Sequence, residues 1–188
     1  FRVDAAGKGS KFAEVEGLEI QSLAIDRQDR VYAATSPNGK VWRIDPDGKA
    51  QVFYDPKVTY IWGMVFSPDG SLFIATGDQG EIHKVATDGK GSVFHKLEDA
   101  HARSIAIDAK GNLYVGTEPS GVVIRITPKG EGFILHQTSK REVTAIVTTA
   151  DGKVYAAATG TQQASSVVPI APAAPAPAKP AAGGNAPV

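Results

Sequence analysis

Several features that accompany chemically active or membrane-bound proteins are missing from this 188-residue sequence. It has no cysteine, which excludes disulfides, thiolate nucleophiles and cysteine metal sites. Its 20 basic and 20 acidic residues give a net charge of zero, with no basic run, so we expect no nucleic-acid partner. No apolar stretch reaches the roughly 18 residues of a membrane-crossing helix, so we also expect no membrane span.

Motifs for catalysis are missing too. The sequence contains no G-x-S-x-G turn, no phosphate-binding loop and no H-E-x-x-H pair. The paired glycines of "GDQGEI" lack the spacing of a dinucleotide-binding loop. From motifs we therefore predict no catalytic residue, no metal site and no cofactor, and the protein is more readily interpreted as a binding protein than as an enzyme.

What the sequence does contain is a repeat of 41 residues, which runs without insertion or deletion for about 160 residues. Equivalent residues can be aligned as columns, and three columns carry the argument below. One column is a constant glycine: Gly7, Gly48, Gly89 and Gly130. Two others are apolar: Leu23, Met64, Ile105 and Ile146 in one, and Tyr32, Phe73, Tyr114 and Tyr155 in the other. We expect Leu23, Met64 and Ile105 to be buried between neighbouring repeats.

The glycine column explains the segment "DPDG" (residues 45–48), which taken alone could begin a calcium loop. A calcium loop needs carboxylates at fixed positions and a bidentate acid at its twelfth position, which here is Pro56. The other repeats keep only the glycine. We therefore predict tight turns, with positive φ at Gly48 and Gly89.

Each repeat contains four short segments rich in Val, Ile, Phe and Tyr, separated by Gly, Pro, Asp or Asn, which predicts four strands. In the first complete repeat these are 20–26, 30–35, 40–45 and 50–54. The first strand of each repeat is apolar on both faces, as is typical of a strand buried between sheets. Four strands per unit of about 40 residues indicate a β-propeller, whose sheets are called blades.

The segments "SIAIDAKGNLYVGTEPSGVVIRITPKG" (104–130) and "GMVFSPDGSLFIATGDQGEIHKVATDG" (63–89) resemble blades of the bacterial NHL, SMP-30 and virginiamycin-lyase-like propellers. The resemblance covers residues 1–160. It implies the fold, and it raises the possibility of a metal-dependent lactonase or lyase that uses acids, Asn or His near the central channel.

The repeat begins and stops inside a blade. Residues 1–4 and 11–15 match third and fourth strands, whereas 143–149 and 153–158 match first and second strands. We therefore expect an all-β, partial propeller of three complete four-stranded blades plus two half-blades. The remaining blades would come from a longer parent chain or from a second copy, whose half-blades could complete an eight-bladed ring.

Beyond the repeat the composition changes. Residues 169–188 hold six prolines and eight alanines, which favours extended polyproline conformation over a packed core. We therefore divide the chain into propeller blades, 1–160, and a disordered Pro/Ala-rich linker or tail, 161–188. Tracts of this kind are common in bacterial envelope and secreted proteins, so we expect a periplasmic or extracellular location.

Columns that vary in chemistry are free to carry function. Two such columns precede or begin the first strands, at the end of each blade where the channel mouth should lie. From them we select six candidate ligand-binding residues: Gln21, Tyr60, Trp62, His101, Arg103 and Glu142. Because equivalent positions recur in neighbouring blades, we expect Trp62 beside Arg103 and Tyr60 beside His101. An aromatic ring with an arginine can stack on another ring or bind a carboxylate.

These residues support a non-catalytic propeller that binds a protein, a peptide or a glycan. Two alternatives stay open. Glu19, His101 and Glu142 could contribute to a metal-dependent enzyme, although Tyr60 interrupts that column. The chain could also be a purely structural repeat array in an envelope protein.

Overall fold

The computed structural model describes residues 1–162, and the Pro/Ala-rich tail predicted for 161–188 lies almost wholly outside them. The described chain consists of short strands joined by turns and contains no helix, so no helix of membrane-spanning length occurs in it. The strands are β1 (Arg2–Val3), β2 (Gly9–Ser10), β3 (Glu19–Ile25), β4 (Val31–Ser36), β5 (Gly39–Ile44), β6 (Ala50–Val58), β7 (Ile61–Phe66), β8 (Leu72–Thr76), β9 (Glu81–Val85), β10 (Gly91–Lys96), β11 (His101–Ile107), β12 (Leu113–Glu118), β13 (Val122–Ile126), β14 (Gly132–Gln137), β15 (Lys140–Thr148) and β16 (Val154–Gln162).

The strands form five antiparallel sheets in which the order in space follows the order along the chain. Three sheets have four strands, β3–β6, β7–β10 and β11–β14. The other two have two strands each: β1–β2, equivalent to third and fourth strands, and β15–β16, equivalent to first and second strands. This arrangement confirms the predicted fold class of three complete blades and two half-blades. We call them the first half-blade, blades 1 to 3 and the last half-blade.

The second strand of each complete blade is the most deeply buried. Every residue of β8, Leu72–Thr76, is buried, whereas in β7 only Ile61 and Met64 are buried and the other residues are half-buried. A second strand has a strand on each side within its blade and a blade against each face. The first strand lines the inner edge of the arc and has only one strand beside it, which explains why its apolar sequence is less fully covered.

The repeat columns predict correctly which blades touch. Met64 is 6% exposed and packs with Tyr32 of the preceding blade, as predicted. Ile105 packs against the cluster that contains Phe73 but is only half-buried, so the prediction that it is buried is too strong. Each column therefore faces a fixed neighbour. The Met64 column faces the preceding blade, and the Tyr32 column faces the following one.

The prediction that Leu23 is buried is wrong, since its side chain is 63% exposed. Leu23 faces the first half-blade, which has third and fourth strands only and so lacks the second strand that would cover it. The opposite end of the arc behaves in the same way. Tyr155 belongs to the column of the buried Tyr32 and Phe73, yet it is 58% exposed because no described blade follows it.

The fourth strand predicted at residues 11–15 is also misplaced. In the structure the strand is Gly9–Ser10, and the ladder consists of Arg2 opposite Ser10 and Val3 opposite Gly9. A strand needs a partner, and within residues 1–162 the third strand of this half-blade offers only two residues for pairing. Residues 11–15 therefore have no ladder to join.

The turn glycines have the predicted conformation. Gly48 has φ of 87° and Gly89 has φ of 84°, and each lies between the third and fourth strands of its blade. The amide of Gly48 donates to the carbonyl of Asp45 at 2.8 Å, which closes the turn. The turn interpretation of "DPDG" is therefore confirmed.

The same glycine tests whether the first half-blade docks on blade 1. A Cβ on Gly48 would lie 2.6 Å from the carbonyl oxygen of Phe12, whereas a Cβ on Gly152, with nearly the same φ of 86°, would meet nothing within 4 Å. We expect Gly152→Ala to lower the free energy of unfolding by about 1 kcal/mol, through its left-handed φ alone. Gly48→Ala should cost at least about 1 kcal/mol more. Equal losses in chemical denaturation would show that the segment carrying Phe12 does not pack on this turn.

Candidate functional site

Five of the six candidate residues gather where the first strands of adjacent blades begin. Trp62 is the second residue of β7 and Arg103 the third of β11, while Glu142 lies near the start of β15. Tyr60 immediately precedes β7, and His101 opens β11. Since these residues are equivalent in the repeat, the fold brings them to the same edge of three successive blades.

Trp62 is the centre of this group. Its ring stacks on the ring of Tyr60 with a centroid distance of 5.0 Å and an interplanar angle of 11°. The guanidinium carbon of Arg103, from the next blade, lies 3.9 Å from the centre of the Trp62 ring. A guanidinium at this distance from an indole ring is attracted by the ring quadrupole. Trp62 therefore joins two blades through a cation–π contact.

Arg103 is in turn held by acids of its own blade and of the last half-blade. Its Nε and one terminal nitrogen lie 2.6 and 2.5 Å from Oε1 of Glu142, and its Nε lies 3.5 Å from Glu118. The side chains of Arg103 and Glu142 are only 23% and 20% exposed. A charged pair that has lost this much water depends on its partner, because removal of either charge leaves the other poorly solvated.

His101 packs against the edge of Trp62, with ring centroids 6.0 Å apart. Its Nδ1 lies 3.4 Å from Nε1 of Trp62 and 3.4 Å from the backbone nitrogen of Asp78. An indole N–H and a backbone N–H are both donors only, so Nδ1 of His101 must be the acceptor. The ring proton of neutral His101 then resides on Nε2, which is available as a donor.

Gly77 makes this close approach possible. A Cβ at Gly77 would lie 2.6 Å from Nε1 of Trp62, 2.8 Å from Nδ1 of His101 and 3.0 Å from Cβ of Tyr60. Tyr60 and His101 are thus brought to the same glycine. The backbone of Tyr60 also accepts a hydrogen bond from the amide of Gly77 at 2.9 Å. A side chain at this position would push the three rings apart.

The sixth candidate, Gln21, lies at the equivalent end of blade 1 and stands apart in its contacts. It is exposed, and its side-chain amide donates to Glu19 at 2.5 Å. Within residues 1–162 it has no hydrogen bond or ring contact with Tyr60 or Trp62. The repeat places Gln21 in the right column, but its side chain contributes nothing to the stack.

Three residues that the sequence did not single out complete the group. Gly77 and Glu118 fall in one column, at the end of the second strands, and Asp78 follows Gly77. Antiparallel pairing places Glu118 directly opposite His101. The signal was present, since this column varies in chemistry as strongly as the two that were chosen. Tyr60, Trp62, Asp78, His101, Arg103, Glu118 and Glu142 are hereafter called the aromatic edge.

The two glutamates and the histidine considered for a metal site each contact another protein side chain instead of one another. Glu19 contacts Gln21, Glu142 pairs with Arg103, and His101 accepts from Trp62. In the part of the chain that the structure describes, no group of three or more His, Asp or Glu side chains is arranged to hold a metal ion.

Among the clefts elsewhere on the described arc are two with apolar lining residues. One, of about 340 Å³, separates blades 1 and 2 near the hairpin turns and has Phe53 and Phe66 among its lining residues. The other, of about 360 Å³, lies between blades 2 and 3 and includes Ile124 and Ile134. No residue of the aromatic edge lines either cleft. The aromatic edge is a separate surface formed by half-buried side chains together with the exposed Asp78.

Solved structures with the same architecture were found by structural comparison. Nidogen, in a nidogen/laminin complex, has a TM-score of 0.62 and 18% identity over 70% of this chain. Virginiamycin B lyase from Staphylococcus aureus, a catalytically inactive variant with quinupristin, has a TM-score of 0.67 and 16% identity over 85% of this chain. Regucalcin from Agrobacterium tumefaciens, a calcium-binding protein, has a TM-score of 0.63 and 17% identity over 77% of this chain.

These similarities establish the propeller fold and leave the activity open, because identities below one fifth carry no information on which residues act. The chain spans 53%, 62% and 55% of the length of those three proteins. No protein-family profile and no curated protein matches the sequence.

Proposed function

We propose that this protein is a non-catalytic propeller that binds a protein, peptide or glycan through the aromatic edge. The observation that carries the proposal is the stack of Arg103 on Trp62 at 3.9 Å, fixed from the next half-blade by Glu142. Tryptophan, tyrosine and arginine are the residues that most often dominate binding energy at interfaces. Here they are already ordered by contacts within the protein, which lowers the entropy that a ligand must offset on binding.

Two of the similar structures contain bound partners. The nidogen structure includes laminin, and the lyase structure includes quinupristin. Both are propellers of the same fold that hold another molecule, which supports a binding role for this chain by analogy of fold. In this chain the half-buried rings of Tyr60 and Trp62 offer a surface for such a role.

A metal-dependent lactonase or lyase is the second candidate. It is favoured by the likeness to virginiamycin B lyase and to a calcium-binding regucalcin. Metal content and hydrolysis of lactone substrates, measured on the protein with added divalent cations, would separate it from the binding hypothesis. Turnover that depends on the cation and survives loss of Trp62 would favour the enzyme.

Replacement of Gly77 by alanine tests the aromatic edge without removing any of its side chains. Gly77 does not have the left-handed φ that penalises alanine, so the backbone tolerates the change. The new methyl group must displace Trp62 and His101, which it would meet at 2.6 and 2.8 Å. We expect Gly77→Ala to weaken binding to hits from a peptide and glycan array by roughly tenfold or more, as expected for displaced interface anchors.

The matched control is Gly9→Ala, since a Cβ at Gly9 meets nothing within 4 Å. It should bind like the unmodified protein, and the far-ultraviolet circular dichroism of both variants should show that they remain folded. Array hits that Gly77→Ala retains at full strength would contradict binding through the aromatic edge. An array without hits would favour the purely structural alternative.

A further inference from the structure

In the aromatic edge the positive charge has close partners, whereas the negative charges are only partly paired. Its single guanidinium, Arg103, is paired with Glu142 at 2.5 Å and lies 3.5 Å from Glu118. The carboxylate of Glu118 is more exposed, at 37%, and has no closer cationic partner within residues 1–162. The cation of this surface is thus already neutralised. The carboxylate-binding role expected for Arg103 from the sequence is filled by the protein's own acids.

A second carboxylate, that of Asp78, has no partner at all in the part of the chain that the structure describes. Asp78 is exposed, and its backbone nitrogen lies 3.4 Å from Nδ1 of His101. It follows Gly77, whose amide bonds to the carbonyl of Tyr60. Asp78 and Glu118 therefore flank His101, one from blade 2 and one from blade 3. Together with Glu142, the edge has three carboxylates and one guanidinium.

The aromatic rings add to the negative electrostatic character of this surface. Tyr60 contacts a single ring, that of Trp62, and within residues 1–162 no cation lies over it. The face of a phenol or indole ring carries partial negative charge and attracts cations, most strongly where water is partly excluded. The half-buried ring of Tyr60 and the unpartnered carboxylate of Asp78 therefore favour the same kind of ligand.

We propose that the ligand of the aromatic edge is a peptide segment that presents a lysine or arginine side chain between Tyr60 and the carboxylates of Asp78 and Glu118. This inference rests on the proposed binding function and gives it a chemical class. An anionic segment would meet the unpartnered carboxylate of Asp78 and the partly exposed carboxylate of Glu118, while Arg103, the cation of the aromatic edge, is already bound by acids. A neutral glycan could stack on the ring, but it would leave Asp78 without a counterion.

Three synthetic probes of equal size distinguish these ligands. They are a peptide of alternating glycine and arginine, its counterpart of glycine and glutamate, and a neutral chito-oligosaccharide. Binding is measured by calorimetry at low salt and again at about 0.5 M salt, where exposed charges are screened. The variants are Trp62→Ala, the pair Asp78→Asn with Glu118→Gln, and the control Asp88→Asn, an exposed acid in a hairpin turn at the opposite edge.

We expect the arginine peptide alone to bind, and to bind more weakly at high salt. Loss of both carboxylates should weaken it roughly tenfold, whereas Asp88→Asn should leave it unchanged. If the glutamate peptide or the glycan binds instead, and Trp62→Ala abolishes that binding, the proposed function stands and the cationic ligand is wrong. If no probe binds in a manner that depends on Trp62, the cationic ligand is overturned, and the array with Gly77→Ala decides the proposed function separately.

Discussion

Met64→Ala should lower the free energy of unfolding by about 2–5 kcal/mol, the usual cost of truncating a buried aliphatic side chain. Met64 is 6% exposed and packs against Tyr32 and Val41 of the preceding blade, so its loss leaves a cavity between two sheets. The same substitution one repeat earlier should behave differently. Leu23 is 63% exposed, and Leu23→Ala should cost less than about 1 kcal/mol.

Leu23 and Met64 occupy the same position of the repeat and have similar side-chain volumes. The difference between the two losses therefore measures the effect of the neighbouring blade, which covers Met64 and leaves Leu23 exposed. Urea denaturation of both variants, followed by tryptophan fluorescence and far-ultraviolet circular dichroism, provides the measurement. Similar losses for the two variants would mean that a further surface covers Leu23 in solution, and the open end of the arc described above would be wrong.

The second large effect is expected on binding. The double substitution Trp62→Ala with Arg103→Ala should abolish ligand binding, with a loss of at least about thirtyfold, because a central aromatic anchor of about 2 kcal/mol or more is removed together with the guanidinium that orders it. The fold should persist, since neither residue belongs to the buried core clusters. Binding is measured with whichever array hit or cationic peptide the unmodified protein recognises.

One control is essential for this experiment. Arg103→Ala alone leaves Glu142, only 20% exposed, without its cation. Adding Glu142→Gln removes that unpaired charge, so the triple variant reports on the lost contacts and not on a destabilised half-blade. The triple variant should unfold at a higher temperature than the double variant, because it no longer contains the unpaired charge. Full binding by the folded triple variant would place the binding surface elsewhere on the molecule.

The sequence predicted the blades because a constant period fixes register. With Gly48 and Gly89 in one column and Met64 and Ile105 in another, strand order, turn position and blade contacts follow from a single alignment. What a period does not encode is the end of the array. Leu23 has the sequence of a core residue and the surroundings of a surface residue, and only the absence of a covering strand in the first half-blade explains the difference.

For the candidate site, too, the repeat predicted which residues lie close together but not all of their contacts. The two chosen columns led to Tyr60, Trp62, His101 and Arg103, and the contact between Trp62 and Arg103 follows from their separation by one repeat. Glu118 could not be paired with Arg103 from sequence alone, since their contact depends on side-chain length and direction at the ends of adjacent strands. Whether these residues bind a ligand stays a prediction.

The ion pair between Arg103 and Glu142 also has a thermodynamic consequence. Glu142 lies in β15, so the pair ties the last half-blade to blade 3, and the stacking of Arg103 on Trp62 extends this tie to blade 2. A ligand that orders Trp62 then also orders Arg103 and stabilises the closed state of β15 and β16 over locally unfolded states. By linkage, a ligand bound at the aromatic edge would lower the population of molecules in which the last half-blade is locally unfolded. Local unfolding of that half-blade would in turn weaken binding of the ligand.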